Sequence, residues 1–251
     1  LSENNYGIYI EFAASSDNVL YNNYLSNNIT NAYDEASNSW NTTKNCDIGP
    51  NILGDMCIGG NYYSNYTGTD NDGDGIGDSP IDYTIPGASN KDYLPLTNYF
   101  GPPTSGDWVI NFSKTADELE FTINGSLVIG SNANMTFENV TLDFNQSSDD
   151  EFGGFIIGNL SLINCTITTN GFKLMLNFTD GSTNFLENMT FSEYISANFT
   201  DTSTNFLKNT TWLSSSTVYF TGDSITEVND TYIVSAEFMD SAITTIRDSN
   251  L

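Results

Sequence analysis

An acidic, glycine-rich run between residues 70 and 78 carries side chains suited to binding a hard cation. Its carboxylates fall at positions 1, 3, 5 and 9 of a loop that begins at Asp70. Gly75 at position 6 permits a sharp turn, and Ile76 at position 7 offers its backbone carbonyl. Oxygen ligands at this spacing suit Ca²⁺. The predicted ligands are Asp70, Asp72, Asp74, Ile76, Asp78 and Asp82.

The run differs from an EF-hand loop at its end. Position 12 is Ile81, no helices are predicted on either side, and Asp82 is the candidate for the last carboxylate. A solvated acidic turn is the alternative interpretation. Because the carboxylates of so acidic a loop would otherwise repel one another, we favour structural Ca²⁺ that rigidifies residues 60–95.

The charge balance excludes several classes of partner. The chain has 32 Asp and Glu against six Lys and Arg, no His, and a formal net charge of -26. Nucleic acid and anionic membrane surfaces would be repelled, whereas divalent cations would be attracted. The absence of His also removes the commonest general base and the commonest transition-metal ligand.

Three cysteines are present, and two of them lie close together in a loop. We expect Cys46 and Cys57 to form a disulfide, which leaves Cys165 unpaired. No apolar run approaches the length of a membrane span, and the N-terminus lacks a charged-then-apolar signal sequence. Because Leu1 begins within a repeat, we interpret the chain as a processed or partial product.

Asn-x-Ser/Thr sequons are unusually frequent. Chance would supply several in a chain rich in Asn, Ser and Thr, but fifteen exceed that expectation and indicate a secreted protein that carries N-linked glycans. The sequon asparagines are Asn28, Asn41, Asn65, Asn111, Asn124, Asn134, Asn139, Asn145, Asn159, Asn164, Asn177, Asn188, Asn198, Asn209 and Asn229.

The residues around many sequons alternate with period two, which is typical of strands. A glycan-bearing Asn must face solvent, so the Thr two positions later faces solvent as well, and the residues between and after them point inward. The predicted inward columns are Val140, Cys165, Met189 and Thr210, and Leu142, Ile167, Phe191 and Trp212. Cys165 would then be a buried, unreactive thiol.

Successive sequons from Asn139 to Asn229 are separated by 25, 24, 21 and 20 residues, and the segments 182–191 and 203–212 are nearly identical. A repeat of this length indicates a solenoid. Leucine-rich repeats share the period but need a recurrent leucine framework and helical segments. The Asn, Thr and Phe content favours a parallel β-helix, an all-β fold.

Two regions are predicted. Residues 1–100 begin with strand-like repeats and end in the irregular segment that contains the acidic loop. A Pro- and Gly-rich linker at 101–106 interrupts regular structure. Residues 101–251 form a second β-helical region with the sequon-bearing coils.

Several motifs of the first region resemble the repeats of NosD-like parallel β-helix proteins of archaeal surfaces. They are Asn5-Tyr-Gly-Ile-Tyr-Ile, Tyr21-Asn-Asn-Tyr-Leu, Gly59-Gly-Asn-Tyr-Tyr-Ser-Asn-Tyr-Thr-Gly-Thr, Asp72-Gly-Asp-Gly-Ile-Gly-Asp and Asn90-Lys-Asp-Tyr-Leu-Pro-Leu. The resemblance, from Asn4 to Leu96, implies an exported archaeal protein and a right-handed helix. The strand Gly106-Asp-Trp-Val-Ile is similar, more loosely, to the start of other β-helical surface modules.

Three functions are compatible with these features. We favour a non-enzymatic, Ca²⁺-stabilised structural glycoprotein of the cell surface that packs with copies of itself in a filament, sheath or surface layer. A polysaccharide lyase or glycosidase would need clustered carboxylates, and the compact triplet 149–151 is more typical of a solvated turn. A carbohydrate-binding adhesin could use Tyr62, Tyr63, Tyr66, Tyr83, Tyr93, Tyr99 and Trp40, which would otherwise pack the irregular segment.

Overall fold

The computed structural model describes residues 2–78, 81–213 and 215–250. The described residues form strands, turns and irregular segments, with no helix among them. By their internal contacts the residues divide into two compact units, Leu1–Gly101 and Pro102–Leu251. We call them unit 1 and unit 2.

The described residues of unit 1 form six short strands. They are β1 (Tyr6–Ile10), β2 (Tyr24–Leu25), β3 (Thr30–Asp34), β4 (Tyr62–Tyr63), β5 (Tyr83–Thr84) and β6 (Lys91–Asp92). β1 pairs with β3 and β2 with β4 in parallel, whereas β5 and β6 are antiparallel. One buried hydrophobic cluster comprises Leu25, Ala32, Trp40, Tyr63 and Ile85.

In the part of unit 2 that the structure describes, three parallel sheets are wound into successive coils. The first sheet contains β7 (Trp108–Ile110), β10 (Leu127–Ile129), β13 (Gly153–Ile156), β16 (Leu174–Phe178), β19 (Ile195–Phe199), β22 (Val218–Phe220) and β24 (Ala236–Phe238). The second contains β8 (Lys114–Asp117), β11 (Asn134–Glu138), β14 (Asn159–Ile163), β17 (Thr183–Glu187), β20 (Thr204–Lys208), β23 (Ile225–Asn229) and β25 (Ile243–Arg247). The third contains β9 (Glu120–Ile123), β12 (Thr141–Phe144), β15 (Thr166–Thr169), β18 (Thr190–Phe191) and β21 (Thr211–Trp212). The predicted all-β parallel β-helix is confirmed.

The predicted inward columns are confirmed. Leu142, Ile167, Phe191 and Trp212 are each at most 2% exposed, and they lie in register across β12, β15, β18 and β21. Phe191 and Trp212 stack with ring centroids 4.1 Å apart. The neighbouring column, Val140, Cys165, Met189 and Thr210, is equally buried. Alternation along each strand therefore fixed which side chains fill the core.

A second aromatic stack runs along the first sheet. Phe178, Phe199, Phe220 and Phe238 follow one another with centroid separations of 4.7, 5.7 and 5.0 Å. Each coil thus places the same ring at the same point, so the hydrophobic core continues from coil to coil. The ring of Phe238 is 51% exposed because it lies in the last described coil.

The sequon asparagines of the repeat occupy a corner of the β-helix rather than the interior of a strand. Asn139, Asn164, Asn188 and Asn209 each follow a strand of the second sheet and have φ values between 49° and 55°. Asn tolerates this left-handed conformation better than most residues, which explains its recurrence there. In the following coil the corner position is occupied by Asp230. The sequon residue Asn229 therefore departs from the pattern and lies one residue earlier, in β23 opposite Lys208.

Candidate functional site: the acidic loop and the asparagine ladders

Three of the predicted calcium ligands converge in unit 1. Carboxylate oxygens of Asp70, Asp72 and Asp78 lie within 4.8 Å of one another. Asp70 is buried, Asp72 is partly buried and Asp78 is exposed. The loop therefore presents three carboxylates to one point that is open to solvent on one side, a donor set suited to Ca²⁺.

Backbone amides shape the loop around Asp70. Its carboxylate accepts hydrogen bonds from the amides of Gly73 (2.7 Å), Asp74 (3.1 Å) and Gly75 (2.9 Å). Gly73 and Gly75 have φ values of 86° and 89°, which a side chain would strain. The amide of Asn71 closes the loop by donating to Asp78 at 2.8 Å. These bonds hold the carboxylates of Asp70 and Asp78 close together.

Two other predicted ligands, Asp74 and Asp82, do not join this group. Asp74 forms an ion pair with Lys44, and its other carboxylate oxygen accepts the amide of Ile76 at 2.7 Å. Asp82 forms an ion pair with Lys91 at 2.6 Å, so the predicted final carboxylate is directed elsewhere. Ile76 is buried, 4% exposed. In Asp74 and Asp82, the lysine partner stabilises the ionised carboxylate. The spacing of the loop residues does not reveal these partners.

Charge crowding acts on the central carboxylate. Burial, followed by the charges of Asp74 and Asp78, raises the pKa of Asp72 above its usual value. The crowding disfavours the ionised form of Asp72, and a nearby cation has the opposite effect.

A disulfide braces the loop from one side. Cys46 and Cys57 are bonded, and the amide of Cys57 donates to the carbonyl oxygen of Asp74 at 3.1 Å. The side chain of Asn51 donates to the carbonyl oxygen of Cys57 at 2.9 Å. The cross-linked segment 46–57 and the acidic loop are therefore directly connected.

The fifteen predicted glycosylation asparagines are all at least partly exposed. Many of them form side-chain ladders between coils, a feature that the sequence analysis missed. At the corner, Asn164, Asn188 and Asn209 each donate from Nδ2 to Oδ1 of the preceding Asn, at 3.2, 2.8 and 2.8 Å. Further ladder pairs are Asn145 with Asn124, Asn159 with Asn134 and Asn198 with Asn177.

The ladders give these asparagines a structural role that is independent of modification. Each rung joins two coils by a side-chain hydrogen bond parallel to the β-helix axis, in addition to the backbone ladders. The recurrence of Asn at a fixed offset after each strand is the sequence signal for these ladders, and the same asparagines are predicted glycosylation sites. Glycosylation itself stays a prediction.

A buried ladder lies on the inner side of the second sheet. Asn184 donates to Asn205 at 2.9 Å, and both amides also contact serine hydroxyls two residues earlier. Both asparagines are at most 1% exposed. Such buried amides are tolerated because their polar atoms are paired.

The aromatic residues proposed for carbohydrate binding mostly pack unit 1. Trp40 and Tyr63 are fully buried, and Trp40 donates from its indole nitrogen to Asp34 at 2.8 Å. Tyr63 stacks on Tyr83 with centroids 3.8 Å apart. Tyr93 and Tyr99 alone in that set are mostly exposed. Trp40 and Tyr63 therefore belong to the core of unit 1.

The acidic triplet 149–151 forms an exposed turn in unit 2. Glu151 accepts two hydrogen bonds from Ser147, which lower the pKa of its carboxyl group. Asp149 accepts the backbone amide of Lys173 at 3.0 Å. These carboxylates serve turn geometry, as expected.

The first part of the chain is similar to a known protein family. A family model described as periplasmic copper-binding protein (NosD) matches residues 1–68, about a quarter of the chain. No curated protein and no solved structure matches the chain. Among the described residues, none forms a helix that is long and apolar enough to cross a bilayer.

The residues in the matched segment do not fit a copper site. The chain has no His, and the two cysteines of residues 1–68 are joined in a disulfide. Met56 is the single methionine there. Copper prefers imidazole, thiolate and thioether ligands, whereas this segment offers mainly carboxylates and carbonyls, which suit harder cations.

Proposed function

We propose that the chain is a non-enzymatic structural element of the cell envelope or surface, a β-helical section of a filament, sheath or surface layer. The observation that carries this proposal is the repetition in unit 2. The same rings, asparagines and hydroxyls recur at equivalent points of successive coils, inside and outside. A continuous core with continuous ladders favours stiffness and lateral contacts over a single reaction centre.

The last described coil suggests how copies associate. Among the described residues, β24 and β25 each pair with a strand on one side only. Phe238 and Ile243 in this coil are 51% and 62% exposed. Strand edges with apolar neighbours favour the addition of another strand, and we propose that copies of the chain pair through such edges.

Location and calcium complete the proposal. The match to a periplasmic family fits an extracellular or envelope location in general, and we place the protein at the cell surface, with N-linked glycans on its exposed asparagines. The convergence of Asp70, Asp72 and Asp78 supports Ca²⁺ as the ion that stabilises unit 1.

Sedimentation velocity over a range of protein concentrations tests the assembly proposal. Thr244 lies on the inner side of β25 and is partly exposed, whereas Thr245 lies on its outer side and is exposed. Thr244→Lys places a charge on the stacking surface and should abolish the larger species, whereas Thr245→Lys is the matched control and should retain them. Circular dichroism checks that both variants fold. Assembly that is equally sensitive to both changes, or absent from the unmodified protein, contradicts the proposal.

A further inference from the structure

An exposed aromatic stack on the second sheet of unit 2 ends at Phe185, where one ring face is left uncovered. The rings of Phe185 in β17 and Phe206 in β20 stack outside the β-helix, with centroids 4.8 Å apart and planes 7° from parallel. In the coil before them, the position in register with Phe185 is Ser161. Because Ser161 is small, the face of the Phe185 ring that points toward β14 is uncovered, and the side chain is 48% exposed.

The uncovered face of the Phe185 ring forms one wall of a groove. Its volume is about 220 Å³, and its lining includes Phe185, Ser161, Thr136, Thr183, Asn134 and Asn159. This volume is below the roughly 300–1,000 Å³ of sites for drug-sized ligands, so the groove admits a single small ring. None of its lining residues is charged, although the chain as a whole carries a charge of -26.

Three hydroxyl groups in the groove form no hydrogen bond within the described part of the chain. Those of Thr136 and Ser161 lie in register on adjacent strands, directly in front of the Phe185 ring. Thr183 lies two residues before Phe185 on the same face of β17. Asn134 and Asn159 stand beside them with amides already joined at 2.6 Å. A row of available hydroxyls thus faces one bare aromatic surface.

We propose that this groove binds one ring of a neutral saccharide. The apolar face of a pyranose would pack on Phe185, and its hydroxyl groups would exchange hydrogen bonds with Thr136, Ser161 and Thr183. This combination of apolar and polar surface matches a sugar better than an apolar peptide, which would leave the hydroxyls unpaired. The inference does not depend on the proposed structural role, and it applies to protein in which Asn134 and Asn159 carry no glycan.

Saturation-transfer difference NMR and isothermal titration calorimetry test the inference on protein produced without N-glycans, because a glycan at Asn134 or Asn159 would fill the groove. The probes are cellotetraose, chitotetraose and mannotetraose, with tetragalacturonate as the anionic comparison. At least one neutral probe should bind with a Kd of about 1 mM or tighter. Phe185→Ala should weaken that binding by about tenfold.

Two further variants keep the test independent of folding. Phe155, 45% exposed on the first sheet, is the matched control, and Phe155→Ala should change the Kd by less than about twofold. Ser161→Phe extends the aromatic stack into the groove and should abolish binding without lowering the unfolding midpoint. The inference is overturned if no neutral probe binds at about 10 mM, if tetragalacturonate binds equally well, or if Phe155→Ala and Phe185→Ala act alike.

Discussion

The corner asparagine ladder makes a quantitative prediction at Asn188. Its Nδ2 donates to Asn164 and its Oδ1 accepts from Asn209, both at 2.8 Å, and its φ is 55°. An exposed side-chain hydrogen bond contributes roughly 0.5 kcal/mol, at the low end of the usual range. The left-handed conformation costs a residue such as Ala roughly 1 kcal/mol. Asn188→Ala should therefore lower the free energy of unfolding of unit 2 by about 2 kcal/mol.

Two companion variants separate the contributions. Asn188→Gly removes both rungs but adopts a positive φ freely, so it should cost about 1 kcal/mol. Thr190→Ala destroys the same sequon but leaves the ladder intact. Since Thr190 is exposed, this change should cost less than about 0.5 kcal/mol.

Urea denaturation followed by circular dichroism, on protein produced without glycans, measures these differences. The expected order of stability is Thr190→Ala above Asn188→Gly above Asn188→Ala. If Thr190→Ala is as damaging as Asn188→Ala, or if the Ala and Gly variants at 188 are equal, the structural role assigned to the corner asparagines is wrong.

Three further predictions concern calcium, pH and the free thiol. Ca²⁺ at about 100 times its Kd should stabilise unit 1 by about 2.7 kcal/mol, which raises the thermal unfolding midpoint by about 10 °C. A chelator or Asp72→Asn should abolish this rise, whereas the exposed control Asp47→Asn should leave it unchanged. A midpoint that does not change with Ca²⁺ contradicts the calcium proposal. Burial raises the pKa of Asp92 to about 6. The stability that protonated Asp92 gives the folded state is therefore fully present below about pH 4. As pH rises through about 6, the free energy of unfolding should fall by up to about 3 kcal/mol. Urea titrations across this range should show a flatter pH dependence for Asp92→Asn, and an unchanged slope refutes the assignment. Cys165 is 1% exposed and burial raises the pKa of its thiol, so a thiol reagent should label it only after unfolding; rapid labelling of the folded protein would show that it is accessible.

Much of unit 2 could be predicted from sequence because a β-strand has period two and the repeats are regular. The position of Thr190 two residues after Asn188 was enough to place Met189 and Phe191 in the core. The conformation of Asn188 could not be obtained in this way. An exposed Asn in a strand and an exposed Asn at a left-handed corner leave the same alternation in the residues that follow, so the corner and its ladder were missed.

The acidic loop was predicted less completely, because spacing along the chain does not identify partners from distant segments. Lys44 and Lys91 pair with Asp74 and Asp82, and neither pairing follows from the loop sequence. The groove beside Phe185 was missed for a related reason. It depends on the register that sets Phe185 opposite Ser161 in the preceding coil, and a repeat pattern alone does not give the register of a single pair.

Electron microscopy of the concentrated, purified protein with Ca²⁺ and with chelator is the most direct test of the proposed structural role. The proposal predicts ordered filaments or sheets with Ca²⁺ that disappear in the Thr244→Lys variant and persist in Thr245→Lys. Dispersed single particles of the unmodified protein at every concentration, with or without Ca²⁺, would contradict it.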